Sequence, residues 1–343
     1  MTSKLRTERF VWLDIMLTLL TLELMAYFYY GARAVFLGCV CVSVSVAAEI
    51  VSLRFMGKNF TADDLTCTSD ALILSLMLPA VVDYRIAGIG CLFGVIAAKN
   101  IFGGRANMIF SPAAAAYLFM ITSWKNQVLQ FTEPHVHTGI TERASGLVSS
   151  ASHNFNLTGK LNFTDFELLM GNFPGAAGAV SLLLLIVAAL ILLFRRDISA
   201  GAFIGSIAGT VFMAKLVPAA ADTSQSVKYT LAMNMVLFAS IYIVSDRRIA
   251  PKRDYFAFFY GLFIAVTAYL LVVTDAKENA IVLVSVLFTP VSLGLKNLEK
   301  RIDLAIAEQE KQAEEAEVTE EQQDEALAQA QLILSGEEAQ DDE

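Results

Sequence analysis

The chain has 343 residues, 56% hydrophobic and 17% charged, with a mean hydropathy of +0.56. Soluble domains carry roughly 25% charged residues, so this composition argues against a soluble globular protein and places most of the chain in lipid or a buried bundle. The net charge of -9 divides unevenly: from Leu295 onward 4 Lys/Arg stand against 16 Asp/Glu, a net -12, while the rest is +3. No basic face of the kind that binds nucleic acid is present in that pattern.

In chain order, apolar segments fall at 10–30, 35–53, 71–82, 86–98, 112–124, 175–194, 200–217, 229–244, 255–273 and 280–295. The first ends in aromatics and Gly31-Ala32-Arg33, not in the small-residue site of a cleavable signal peptide. Segment 71–82 contains Pro79. It spans about 18 Å at ~1.5 Å per residue, short of the ~30 Å of hydrocarbon that a crossing needs. Short, proline- or glycine-interrupted segments predict discontinuous helices that converge on a site near the midplane.

Counted as ten crossings, the segments put the basic clusters on one side: Lys4, Arg6 and Arg9, then Arg54, Lys58, Lys99, Arg105, Arg195, Arg196, Arg247, Arg248 and those at 252–253 and 296–301. By the positive-inside rule that side is the cytoplasm, and both termini lie there. Five crossings before Trp124 and five after Gly175 insert in opposite senses, as an inverted repeat requires. The expected class is an all-α polytopic membrane protein. About ten transmembrane helices, some broken or short, form two inverted five-helix halves, 1–124 and 173–295. An extracytoplasmic loop, 125–172, joins them. Residues 296–343 form an acidic cytoplasmic tail of high helix propensity, read as a solvated helix or as a handle for a soluble partner.

Few polar residues interrupt the apolar pattern. Cys39, Cys41, Cys67 and Cys91 contain no CxxC pair and read as core-like thiols. His135-Val136-His137 and His153 share the outer segment without a third ligand nearby and read as solvated loop. Asn156-Leu157-Thr158 and Asn162-Phe163-Thr164 match the glycosylation pattern, a short motif given little weight here. Asp14, Glu23, Glu49 and Lys215 lie in or near spans, where ionisable groups usually face the bundle interior. Asp14 and Glu49 are read as close to the cytoplasmic surface and Lys215 as snorkelling. Glu23 is deeper, placed to pair with a base or join an ion path.

Four segments in order carry a family pattern: Asp70 to Pro79; Ala98-Lys99-Asn100-Ile101-Phe102-Gly103-Gly104 with Asn107-Met108-Ile109-Phe110-Ser111-Pro112-Ala113; Leu169-Met170-Gly171-Asn172-Phe173-Pro174-Gly175; and Val244-Ser245-Asp246 ahead of Ala250-Pro251-Lys252. From Ser69 to Leu295 the chain resembles the D subunit of the Rnf ferredoxin:NAD oxidoreductase complex and its relative, the B subunit of the sodium-pumping NADH:quinone reductase.

The resemblance implies a flavoprotein of the bacterial plasma membrane, with FMN esterified through its phosphate to a hydroxyl outside the membrane. This chain departs from the family's Ser-Gly-Ala-Thr motif. One frame, Ser149-Ser150-Ala151-Ser152, puts Ser152 at the ester position with Ser149 leading; the other, Ser145-Gly146-Leu147-Val148, ends without a hydroxyl. Covalent FMN at Ser152 and loss of the covalent flavin both stay open, as does riboflavin or a second flavin. Gly171-Asn172, with the N-cap chemistry of an anion site, would orient the phosphate. Gly103, Gly104, Asn107 and Arg105 read either as a tight turn that needs positive φ or as a cradle for a flavin or quinone head group. Asp246 belongs to the family's turn and joins the candidate cofactor residues.

Implied partners are the other Rnf-type subunits, including a flavin-bearing extracytoplasmic one, together with membrane lipid and Na+ or H+ as the coupling ion. The absent Gly-rich dinucleotide fingerprint leaves the chain without a complete active site of its own. The competing readings are a small-solute or ion channel of similar inverted-repeat fold and a flavin-less scaffold paralogue.

Overall fold

The computed structural model describes residues 8–104, 108–142, 146–220, 222–309 and 311–312. Two compact units, 1–293 and 294–343, make up the chain. In the second, residues 294–309 are helical. The described residues of the first are helical or irregular, with one isolated antiparallel bridge between Phe131 and Val148.

In chain order the helices begin with α1 (Glu8–Tyr30), α2 (Ala32–Phe55), α3 (Thr66–Met77), α4 (Tyr84–Phe93) and α5 (Pro112–Val128). Then come α6 (Ala151–Thr158), α7 (Asp165–Met170), α8 (Leu182–Phe194) and α9 (Ala200–Leu216). The last are α10 (Thr223–Ala232), α11 (Val236–Ala239), α12 (Asp254–Asp275) and α13 (Ala280–Leu287). Three of these, α1, α2 and α12, are long and apolar enough to cross a membrane. The count of crossings by length and apolarity rises to five if each of two bent pairs is one span. One pair is α10 with the stretch from Val236 to Val244, bent by 57°; the other starts at α13 and resumes at Thr289.

Helix α1 shows how the bundle sorts its side chains. Leu13, Leu17, Leu20, Leu24 and Phe28 recur at helical spacing and are exposed, so this stripe meets lipid. The opposite face buries Leu19, Leu22 and Ala26 together with the polar Asp14, Thr18 and Glu23. Polar groups face inward because hydrocarbon offers them no partner.

Proline sets the break after α3. Its ring cannot continue a helix and disfavours helical backbone in the preceding residue. Leu78 is accordingly extended at φ -87°, ψ 155°, and a turn closes with the Val82 N–H donating to the Pro79 carbonyl at 3.1 Å. Nearly every residue of α3 is buried, as expected of a half-length helix enclosed by its neighbours.

Close packing of α9 on α12 comes from a glycine stripe. Gly201, Gly205 and Gly209 sit four apart, and Ala257, Gly261 and Ala265 answer them on α12. A β-carbon at Gly205 would collide with the Phe258 carbonyl oxygen, and one at Gly261 with that of Ala202. Small residues that let backbones touch are the usual cement of membrane helices. Gly205→Val should therefore destabilise the fold by about 1–3 kcal/mol through overpacking, read as an earlier midpoint in a detergent-denaturation titration.

Segment 125–172, expected as a loop, contains two helices among its described residues. Helices α6 and α7 share a small core in which Phe155, Leu168, Phe173, Val180 and Met233 are buried. Local chemistry starts both helices. Ser150 Oγ accepts from the His153 N–H at 2.9 Å, and Thr164 with Glu167 forms a reciprocal capping box.

Arg33 ties this cap to the membrane part. Its buried guanidinium donates to six carbonyl oxygens between 2.6 and 3.5 Å away: Ala80, Val81 and Val82 in the turn after α3, and Gly139, Ile140 and Glu142 in the cap.

Candidate functional site

The Lys99–Gly104 stretch is built by a wide helical turn. After α4 the chain enters a π-helical turn at Gly94–Asn100, closed by the Ile101 N–H donating five residues back to Ile96 at 3.1 Å. Such insertions are frequent at functional positions. This one presents consecutive side chains to the same partner. Lys99 Nζ lies 2.7 Å from Glu49 Oε1, and Asn100 Nδ2 donates to Glu49 Oε2 at 3.1 Å. Both charged side chains are 1% exposed. Glu49 is thus held inside the bundle by Lys99.

Gly103 and Gly104 follow at φ 107° and 76°, the left-handed region that favours glycine. Gly103 is exposed and Gly104 buried. Asn100 Oδ1, buried close by, has no hydrogen-bond partner among the described residues. Arg105 and Asn107, the other expected cradle residues, lie outside the described residues.

A second charge cluster joins distant parts of the chain. Arg248 donates to both carboxylate oxygens of Asp70 on α3, at 2.6 and 3.2 Å, and to both oxygens of Asp246. Asp246 follows a second π-helical turn, Ser240–Val244, so this cluster also sits at the end of a broken helix. Its carboxylate is engaged by Arg248 rather than open to solvent. A cavity of about 10 Å³ separates the two clusters, lined among others by Ser45, Cys67, Asp70, Cys91, Gly94 and Lys99. That is about the room one water needs. Asp14, at the same end of α1, pairs with Arg195.

The expected hydroxyls of segment 125–172 occupy different environments. Ser149 is exposed. Ser152 is half-buried in the first turn of α6, where its Oγ accepts from the Asn234 N–H at 2.9 Å and faces Met233 Sδ at 3.7 Å. Asn234 and Met235 adopt φ 58° and 54° at the break between α10 and α11. The amides of Asn156 and Asn234 exchange hydrogen bonds at 2.7 and 3.1 Å. An ester at Ser152 would keep the oxygen lone pair that takes the Asn234 N–H and lose only a weak O–H···S contact, so the residue's bonding is compatible with a phosphodiester.

Gly171 and Asn172 do not cap the start of a helix. They close α7, and both N–H groups donate to the Glu167 carbonyl, at 2.8 and 2.9 Å. The anion-site chemistry expected of them is spent on that carbonyl, and α8 begins later, after Ser181. Gly171 holds φ 92° and lies against the Val180–Ser181 backbone.

Sequence reasoning missed Glu278. It lies before α13, is buried, and accepts a hydrogen bond from the Ser150 hydroxyl next to the candidate ester positions. Burial pushes its carboxyl from the ordinary 4.5 up to about 7, with the Ser150 hydroxyl pulling the other way. The only signal in the chain was an acid set directly before the last apolar segment.

With this geometry in view, comparison with known proteins is decisive on kinship. The model of the NQR2, RnfD, RnfE family matches residues 1–293. The chain belongs to this family. It is 26% identical over 187 residues to the D subunit of the Na(+)-translocating ferredoxin:NAD(+) oxidoreductase complex of Acetobacterium woodii, covering 54% of this chain and 58% of that protein. It is 26% identical over 229 residues to the B subunit of the Na(+)-translocating NADH-quinone reductase of Klebsiella pneumoniae, covering 64% and 55%. The D subunit of an ion-translocating oxidoreductase complex of Shewanella frigidimarina is 29% identical over 112 residues, 33% of this chain and 32% of that protein. The chain thus spans little more than half the length of the first two relatives.

Proposed function

We propose that this chain is a membrane component of an Rnf-type ion-translocating oxidoreductase, carrying electrons via flavin across the bacterial plasma membrane, coupled to movement of Na+ or H+. The observation that carries the reading is the family match over residues 1–293, together with relatives named as subunits of such complexes. Other subunits of that complex, one bearing flavin on the outer face, are its partners in this reading.

The proposed topology has ten passages in two inverted halves with both termini in the cytoplasm. Its support is the similar fate of the third segment in each half. Helix α3 stops at Pro79, and α10 bends into α11 at Met233–Met235. Each half also carries a π-helical turn, at Gly94–Asn100 and Ser240–Val244. In each, freed backbone groups gather where other helices can satisfy them.

For the flavin, Ser152 is the proposed ester position and Ser149 the exposed neighbour that competes with it. Asn234 N–H would hold the ester oxygen, and the α6–α7 core would fix its position. At the opposite end, Gly103, Gly104 and Asn100 Oδ1 would hold a second flavin or riboflavin head group. Bound flavin supplies the one-electron steps; the protein supplies position, electrostatics and exclusion of water.

The test is co-expression with a flavin transferase followed by a denaturing gel. We expect a fluorescent band that Ser152→Ala abolishes. Fluorescence lost only with Ser149→Ala would move the ester there. A preparation made with all companion subunits that holds no flavin, covalent or loose, would overturn the electron-carrier reading.

A further inference from the structure

We propose that Glu23 is a proton-binding site inside the membrane part, a neutral carboxyl set in a slot between α1, α2 and α3. The side chain is 7% exposed, and its Oε1 has no hydrogen-bond partner among the described residues. Gly38 on α2 makes the slot: a β-carbon there would stand 2.6 Å from Oε1 and 3.5 Å from Leu72 Cδ2 of α3. The sequence spends a glycine in the middle of a membrane helix, and the space so released is filled by this carboxyl.

A charge in that slot would lack compensation. Lys99 is held by Glu49, Arg248 by Asp70 and Asp246, Arg195 by Asp14, and Arg33 by six carbonyls. An isolated buried carboxylate is costly enough that the group takes a proton instead. Sodium is the poorer ligand for this slot. Hard cations collect several oxygens, whereas the slot that holds the carboxyl is bounded by the Gly38 backbone and the Leu72 methyl. On α3 and α4 the buried titratable groups are Cys67, Asp70, already paired with Arg248, and Cys91.

The inference deepens the ion-movement part of the function proposed above, yet its test does not need the complex. The probe is infrared spectroscopy of the full chain in lipid nanodiscs at pH 7, in a Glu278→Gln background that removes the buried carboxyl beside Ser150. We expect a protonated-carboxyl C=O band that shifts in D2O and is lost in Glu23→Gln. Gly38→Ala, which crowds the slot, should move that band without removing it. Spectra unchanged by both substitutions would overturn the site, as would loss of the band on adding NaCl at constant pH. A flavin-bearing chain without the band would sink this site alone; a chain with the band and no flavin would sink only the electron-carrier reading.

Discussion

Lys99→Met should lower the stability of the chain by about 3–5 kcal/mol, the cost of leaving one member of a buried ion pair without its partner. Glu49 would remain 1% exposed with only the Asn100 amide to meet its charge. The double variant Glu49→Gln, Lys99→Met should recover most of the loss, because neither charge is then stranded and the methylene stem still fills its place. Detergent-denaturation midpoints of the wild type, both single variants and the double variant complete the cycle. Equal destabilisation by the double variant and the sum of the singles would show that the two residues act independently, against the 2.7 Å contact.

Raising the pH from 5 to 8 should loosen the α6–α7 cap through Glu278. In the folded chain its carboxyl titrates near 7 instead of 4.5 because it is buried. The folded state therefore holds this proton more tightly than the unfolded one. Its stabilising contribution is complete below pH 4.5, fades as the pH rises, and is gone above about 7. A difference of that size corresponds to about 3 kcal/mol. Hydrogen exchange of α6 amides, corrected for intrinsic rates, should show protection falling across this range in the wild type. In Glu278→Gln, which cannot ionise, the protection should stay flat. Identical pH profiles in both would assign the change to some other group.

Much of the framework was legible because it rests on local chemistry. Pro79 ends α3 for reasons the ring alone dictates, and Gly103-Gly104 signalled positive φ from residue type alone. The apolar periodicity of α1, α2 and α12 gave membrane-length helices directly. The glycine stripe of α9 stands in the chain at four-residue spacing, but small residues in an apolar run do not say which helix they meet.

The charge clusters were harder for a different reason. Glu49 and Lys99 are 50 residues apart and Asp70 and Arg248 are 178 apart, so no window along the chain contains both partners. Each basic residue was instead counted as a topology signal, where its pairing does not register. Gly171-Asn172 misled through proximity to an apolar segment. The same two residues that suit a helix start also suit a helix end, and Glu167, four residues earlier, decided which. Ser152 was expected on an open loop and is instead half-buried, because its neighbour Asn234 comes from beyond the sixth and seventh apolar segments.

Arg33 has a mechanical consequence. Six lone pairs drawn from two separate strips of backbone converge on one planar cation, which works as a rivet. A tilt of the strip at 139–142 must drag the bend at 80–82 with it, or break several charge-assisted bonds at once. A partner that docks on the strip at 139–142 therefore pulls, through this one cation, on the bend that ends the half-length helix.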